Sequence, residues 1–204
     1  MRKYIYILIM CLAPVVASAQ NQAAIIEKIN KISAEMKTME CDFVQTKHLK
    51  MLNDKMVSNG KMYYQQTNKL RWEYVTPYAY TFILNDNKVM LKNQKRTDVI
   101  DVNQNKMFKE IARMMMNSIV GKCLSDEKAF KTTIKETPTE WVATLIPQKK
   151  DMKQMWTKLI LHFDRTKNIV AQVEMHEKTG DYTVIDLKNT KTNKTIDQKQ
   201  FSVN

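Results

Sequence analysis

Phe43-Val44-Gln45-Thr46-Lys47, Gly60-Lys61-Met62-Tyr63-Tyr64, Leu70-Arg71-Trp72-Glu73-Tyr74 and Tyr78-Ala79-Tyr80-Thr81-Phe82-Ile83-Leu84 follow one another within residues 43–91. Large apolar side chains alternate with polar ones along these runs, most clearly at Leu70, Trp72 and Tyr74 and again at Tyr80, Phe82 and Leu84. A period of two sends consecutive side chains to opposite faces of a sheet. Asn59-Gly60 and Thr76-Pro77 read as turns between the runs. The stretch therefore predicts antiparallel strands with one wet face and one aromatic, apolar face.

Upstream, Ile25, Ile29, Ile32 and Met36 recur at steps of four, three and four, which predicts an amphipathic helix over residues 21–39. Downstream, Lys88-Val89-Met90-Leu91 and Asp98-Val99-Ile100-Asp101-Val102 continue the strands. From Asn105 the period changes. Phe108, Ile111, Met115 and Ile119 share a helical face, with Met107 and Met114 beside it and Gly121 as the stop. The period of two returns from Phe130 to Glu136, and then at Trp141, Ala143 and Leu145 before Pro147. It continues at Leu159, Leu161 and Phe163, returns after a turn at Ile169 to Met175, and ends at Tyr182 and Val184. The order is helix, five or six strands, a Met-rich helix and about five more strands. It predicts an α+β fold, one long meandering antiparallel sheet with helices on one face. A sheet of about ten strands curls as its twist accumulates.

The ends and the composition narrow the class. Met1-Arg2-Lys3, an apolar run from Tyr4 to Val16 and Ala17-Ser18-Ala19 have the layout of a secretory signal peptide over residues 1–19. Acylation at Cys11 is the competing reading, and Met10 before it and the better cut after Ala19 weigh against it. No later run approaches the roughly twenty apolar residues that a spanning helix needs. Residues 20–204 are then one domain. The formal net charge is +12, with lysines scattered rather than clustered, as on a solvated surface. Export leaves nucleic acid out as a partner. Cys41 and Cys123 remain after processing, either bridged or as two buried thiols.

Catalytic patterns are missing. His48, His162 and His176 have neither H-x-x-x-H nor H-E-x-x-H spacing, and there is no G-x-S-x-G elbow or glycine-rich phosphate loop. No catalytic residue, metal site or cofactor is expected, so a binding protein is favoured over an enzyme. Fifteen methionines, three of them consecutive at Met114-Met115-Met116, suit either a plain core or a lid over a pocket for flexible apolar ligands.

The ordered set of an amphipathic helix, Asp42-Phe43-Val44-Gln45, Gly60-Lys61-Met62-Tyr63, Lys69-Leu70-Arg71-Trp72-Glu73-Tyr74, Pro77 and Asn85-Asp86-Asn87-Lys88 resembles the LolA-like periplasmic lipoprotein carriers. Leu145-Ile146-Pro147-Gln148 and the hairpin from Leu159 to Val173 extend the resemblance over the mature chain. It implies an unclosed half-barrel of about 10–11 strands, covered on its concave face by helices, which takes acyl chains of lipoproteins between the two. The implied lining is Phe43, Met62, Tyr64, Leu70, Trp72, Tyr74, Tyr80, Phe82 and Leu84 from the sheet and Phe108, Ile111, Met114 and Met115 from the lid. The implied partners are acylated lipoproteins, an inner-membrane lipoprotein-releasing transporter, and an outer-membrane acceptor or the outer membrane itself, reached by a monomer in the periplasm. Where such carriers often have an Arg-Pro pair that holds the lid, this chain has Gln66-Thr67. A neutral Gln66 at the gate position cannot make an arginine's charge-assisted contact. A carrier or sensor for another apolar ligand, or an envelope protein with a filled core and no cavity, are the alternative readings.

Overall fold

The computed structural model describes residues 13–104 and 106–203, with side chains over 21–104 and 113–203. Residues 1–12, with Cys11, lie outside the described residues, as do the side chains of Phe108 and Ile111. The first helix, α1 (Ala13–Glu35), starts upstream of the expected cut after Ala19. It buries Ile25 and Ile29. The stripe that predicted a helix to residue 39 overruns its end, because Met39 is already the first inward residue of a strand. Met36 closes the helix with an amide bond to the Ile32 carbonyl at 3.0 Å.

Six strands follow, β1 (Thr38–Leu49), β2 (Asp54–Gln65), β3 (Lys69–Thr76), β4 (Tyr80–Asn85), β5 (Lys88–Asn93) and β6 (Thr97–Asp101). After α2 (Lys106–Val120) come β7 (Phe130–Glu136), β8 (Glu140–Pro147), a short α3 (Lys150–Met155), β9 (Trp156–Asp164), β10 (Ile169–Glu177) and β11 (Tyr182–Thr192). All eleven strands form one antiparallel sheet in the order β6-β5-β4-β3-β2-β1-β11-β10-β9-β8-β7. Every neighbour is adjacent in sequence except at the middle, where β1 pairs with β11. β6 and β7 are free edges, so the sheet does not close into a barrel.

Asn59-Gly60 is not a turn. It lies inside β2, where the pairing with β3 slips by one residue and the Phe43 ring crosses the strand. A Cβ at position 60 would run into that ring and into the Glu73 carbonyl, so glycine serves close approach rather than chain reversal. The reversal is at residues 50–53, with Asn53 in the left-handed region at φ 49°.

The main core lies between one sheet face and the helices. It joins Ile25, Ile29, Met116 and Ile119 to inward residues of both halves of the sheet, from Val89 through Phe43 to Leu145. Gly121 ends α2 at φ 80°, and a Cβ there would come within 2.8 Å of Ile29 and 2.9 Å of Phe163. The helices and β9 meet over that glycine. The opposite sheet face buries Ile83 and Met90, which pair directly between β4 and β5, and the C-terminal segment buries Ile196 and Phe201. The 3-10 turn Gln198–Phe201 packs on β3 and β4. Asn85 Nδ2 donates to the Phe201 carbonyl at 3.0 Å and Arg71 Nη1 to the Gln200 carbonyl at 3.4 Å.

Candidate functional site

The expected aromatic face exists, and most of it is filled. Phe43, Met62, Tyr64, Leu70, Trp72 and Leu84 are buried in the main core. Phe43 stacks on Trp72 with ring centroids 4.3 Å apart, and Tyr74 meets Phe43 edge-on at 5.2 Å. Such ring pairs add roughly 0.5–1.5 kcal/mol beyond area burial. Along the sheet toward the β1–β2 turn the packing thins, and Tyr74, Tyr80 and Phe82 are only half-buried. The Tyr74 hydroxyl donates to Gln45 Oε1 at 2.9 Å. Burial pushes its pKa up against that bond, so it stays protonated and neutral.

Open space lies on the two flanks of α2 instead. The larger space, about 800 Å³, lies between α2, α3 and the β7–β9 half of the sheet. Met114, Phe130, Met152, Met155 and Trp156 give it an apolar lining, and Arg113, Lys149, Lys150 and Asp151 form a charged rim. Arg113 holds Asp126 at 3.2 Å across that rim. The smaller space, about 210 Å³, is lined by Tyr64, Leu84, Val102, Met116 and Val120. Arg113 and Asn117 border both spaces, so this part of α2 runs between them like a strap.

The structure thus divides the residues that the sequence grouped. Met114 lines the large cavity, Tyr64 and Leu84 line the small one, and Met115 packs half-buried against the core. Gln66 sits in the β2–β3 connection, where its amide bonds the Lys37 carbonyl at 2.8 Å. Thr67 and Asn68 beside it border the small space. Sequence reasoning missed Phe130, Met152, Met155 and Trp156. Met152 and Met155 are spaced three apart in a lysine-rich segment, and this was the only available signal for α3.

On the opposite sheet face all three histidines join one lateral row. His162 lies between Glu140 Oε2 at 2.9 Å and Glu174 Oε1 at 3.1 Å, and His176 Nε2 meets Glu174 Oε2 at 2.9 Å. Tyr182 stacks between His176 and His48. His162 and His176 are hydrogen-bonded and His48 is stacked, all on the face away from both spaces, and the described residues contain no cluster able to hold a metal ion. Cys41 and Cys123 are free and buried, and burial pushes each thiol up to about 12. Neither is a nucleophile at neutral pH.

Comparison with known proteins adds to this geometry. Residues 34–204 match the family model described as outer membrane lipoprotein carrier protein LolA. An outer-membrane lipoprotein carrier protein of Methylococcus capsulatus is 25% identical over 171 residues, covering 81% of this chain and 76% of that protein. Two solved structures share the fold alone. A DUF1329 family protein from Desulfovibrio piger superposes with a TM-score of 0.52 at 10% identity, over 91% of this chain and 97% of that one. The Pseudomonas aeruginosa MucA/MucB complex gives 0.53 at 9% identity, over 89% of this chain and 60% of the matched one.

Proposed function

The chain belongs to the LolA family of outer membrane lipoprotein carriers, and from that premise we propose that it carries acylated lipoproteins through the periplasm, with their acyl chains between the sheet and α2 and α3. The observation that carries this reading is the cavity of about 800 Å³, walled by methionines and aromatic rings and bordered by charge at its rim. Methionine adapts to chains of variable shape. Phe43 and Trp72, stacked in the core, keep the other half of the sheet rigid, and the half-buried Tyr74, Tyr80 and Phe82 are further apolar surface outside the cavity. Cargo comes from an inner-membrane lipoprotein-releasing transporter and passes to the outer membrane or an acceptor there, and no step needs a cofactor.

Energetics favour a groove that is partly open. Each buried methylene contributes about 0.8 kcal/mol. Full burial of two or three acyl chains would therefore bind too tightly for release. The test is recovery of acylated lipoprotein with protein purified from its own envelope, followed by transfer in a reconstituted assay. A Met114→Trp variant, which narrows the cavity from α2, should lower fatty-acid binding roughly tenfold with little change in stability. Recovery of another lipid in place of lipoprotein would move the reading to a different cargo. Empty protein that also transfers nothing would end it.

A further inference from the structure

The β1–β2 hairpin overshoots β3 on one side and runs level with β11 on the other. Leu49 pairs with Asp54 at its tip, whereas β3 leaves β2 at the Asn59–Thr76 pair and β11 meets β1 no further than His48–Tyr182. The β2 edge over residues 54–58 consequently has no strand partner on its β3 side. At the apex Met51 is 92% exposed and Leu52 71%, and on the returning strand Met56 and Val57 are 55% and 44% exposed. Strand alternation puts Met56 on the face that carries Met62 and Tyr64, and Val57 on the opposite face. Apolar side chains therefore stand at the apex and on both faces of the returning strand. Exposed apolar groups of this kind mark protein or membrane contacts, and a group that wraps over an apex onto both faces of a strand, with lysines beside it, fits a lipid surface better than one flat partner face.

The charges at this end complement such a medium. Lys50 and Lys55 flank the apex, and the β10–β11 turn and α3 bring Lys178, Lys150 and Lys153 to the same end, all exposed. Asp54, Asp151 and Asp181 oppose them there, leaving the balance positive. The grouping is held by the Lys50 amide, which donates to Asp181 Oδ1 at 3.0 Å, and by the Lys178 amide, which donates to the Met155 carbonyl at 3.4 Å. Anionic headgroups attract such lysines, and apolar side chains a few residues beyond them reach the boundary between headgroups and acyl chains.

We propose that the β1–β2 hairpin tip docks the protein on an anionic lipid bilayer, with Met51 and Leu52 entering the headgroup–acyl boundary and Lys50 and Lys55 against lipid phosphates. Met155, which lines the large cavity, lies at that same end. Docking would bring the cavity to the membrane surface, although the tip's affinity for lipid does not depend on what the cavity holds.

Flotation of the purified protein with vesicles tests this. The protein should float with phosphatidylethanolamine–phosphatidylglycerol vesicles, less with phosphatidylcholine alone, and less at high salt. The double variant Met51→Asp/Leu52→Asp should lower the bound fraction roughly tenfold, with an unchanged thermal melt and unchanged binding of a fluorescent fatty acid. Lys50→Glu/Lys55→Glu should remove most of the salt dependence. Wild-type protein that stays in the aqueous fraction, or a double Asp variant that floats as well as wild type, overturns the proposal, as does a tip that binds only a protein partner. Loss of fatty-acid binding alongside intact flotation would instead count against the carrier reading and leave the docking surface standing.

Discussion

An alanine at position 60 would drive its methyl group into the Glu73 carbonyl and the Phe43 ring, neither of which can withdraw, since the first is ladder backbone and the second is stacked on Trp72. Overpacking of this kind costs about 1–3 kcal/mol. Gly60→Ala should lower the urea midpoint accordingly, whereas the Gly180→Ala clash falls largely on the flexible Lys50 side chain, leaving chiefly the strain of a positive φ. Glu174 illustrates a charge effect. Burial pushes its carboxyl up, but hydrogen bonds and charge from His176 and His162 outweigh this and hold it below its ordinary value of 4.5. A lowered carboxylate contributes stability that is complete above about pH 4.5 and is lost as pH falls through the folded value. Thermal melts of Glu174→Gln should therefore lie below wild type at pH 7, by about 1 kcal/mol, and converge with it in acid. The two buried thiols should ignore a disulfide reagent in the native state and react together once urea unfolds the protein.

At the scale of the element, the C-terminal segment is a clasp on the outer sheet face. Phe201 is 1% exposed and sits with Ile83 and Met90 outside the main core. Phe201→Ala should destabilise the fold by about 3–5 kcal/mol, measured by urea unfolding, while leaving intact the fatty-acid binding proposed for the other face. Nothing in Asp197-Gln198-Lys199-Gln200-Phe201 announces this, because a lone aromatic in a polar segment has no period to read. The strands were legible for the opposite reason. Leu70, Trp72 and Tyr74 alternate because one face is buried and the other wet, and Ile25 to Met36 keep a helical stripe because α1 lies on the sheet. The site was less legible than the fold. Alternation shows which face is apolar, but whether that face is filled depends on where α2 and α3 lie, and residues distant in sequence decide that. Trp72 and Phe130 look equally suited to line a pocket. One is packed under Phe43, and the other borders open space.

Across the whole molecule, two meanders are joined along a single ladder. β1 to β6 and β7 to β11 each form from neighbours in sequence, and within the sheet the pairing of residues 39–48 with 182–192 unites them. Such a distant closure belongs to folds that refold in milliseconds to seconds. Stopped-flow refolding should show that range, and a chain truncated before Tyr182 should not unfold cooperatively. A polypeptide that crosses a membrane amino terminus first would meet this order as a waiting time. β1 would arrive early with one edge already paired to β2 and the other bare, and it would stay bare until the last strand had been threaded through. During that interval the nascent sheet would present an open template to any passing strand, so its safe maturation would depend on envelope holdases rather than on its own contacts.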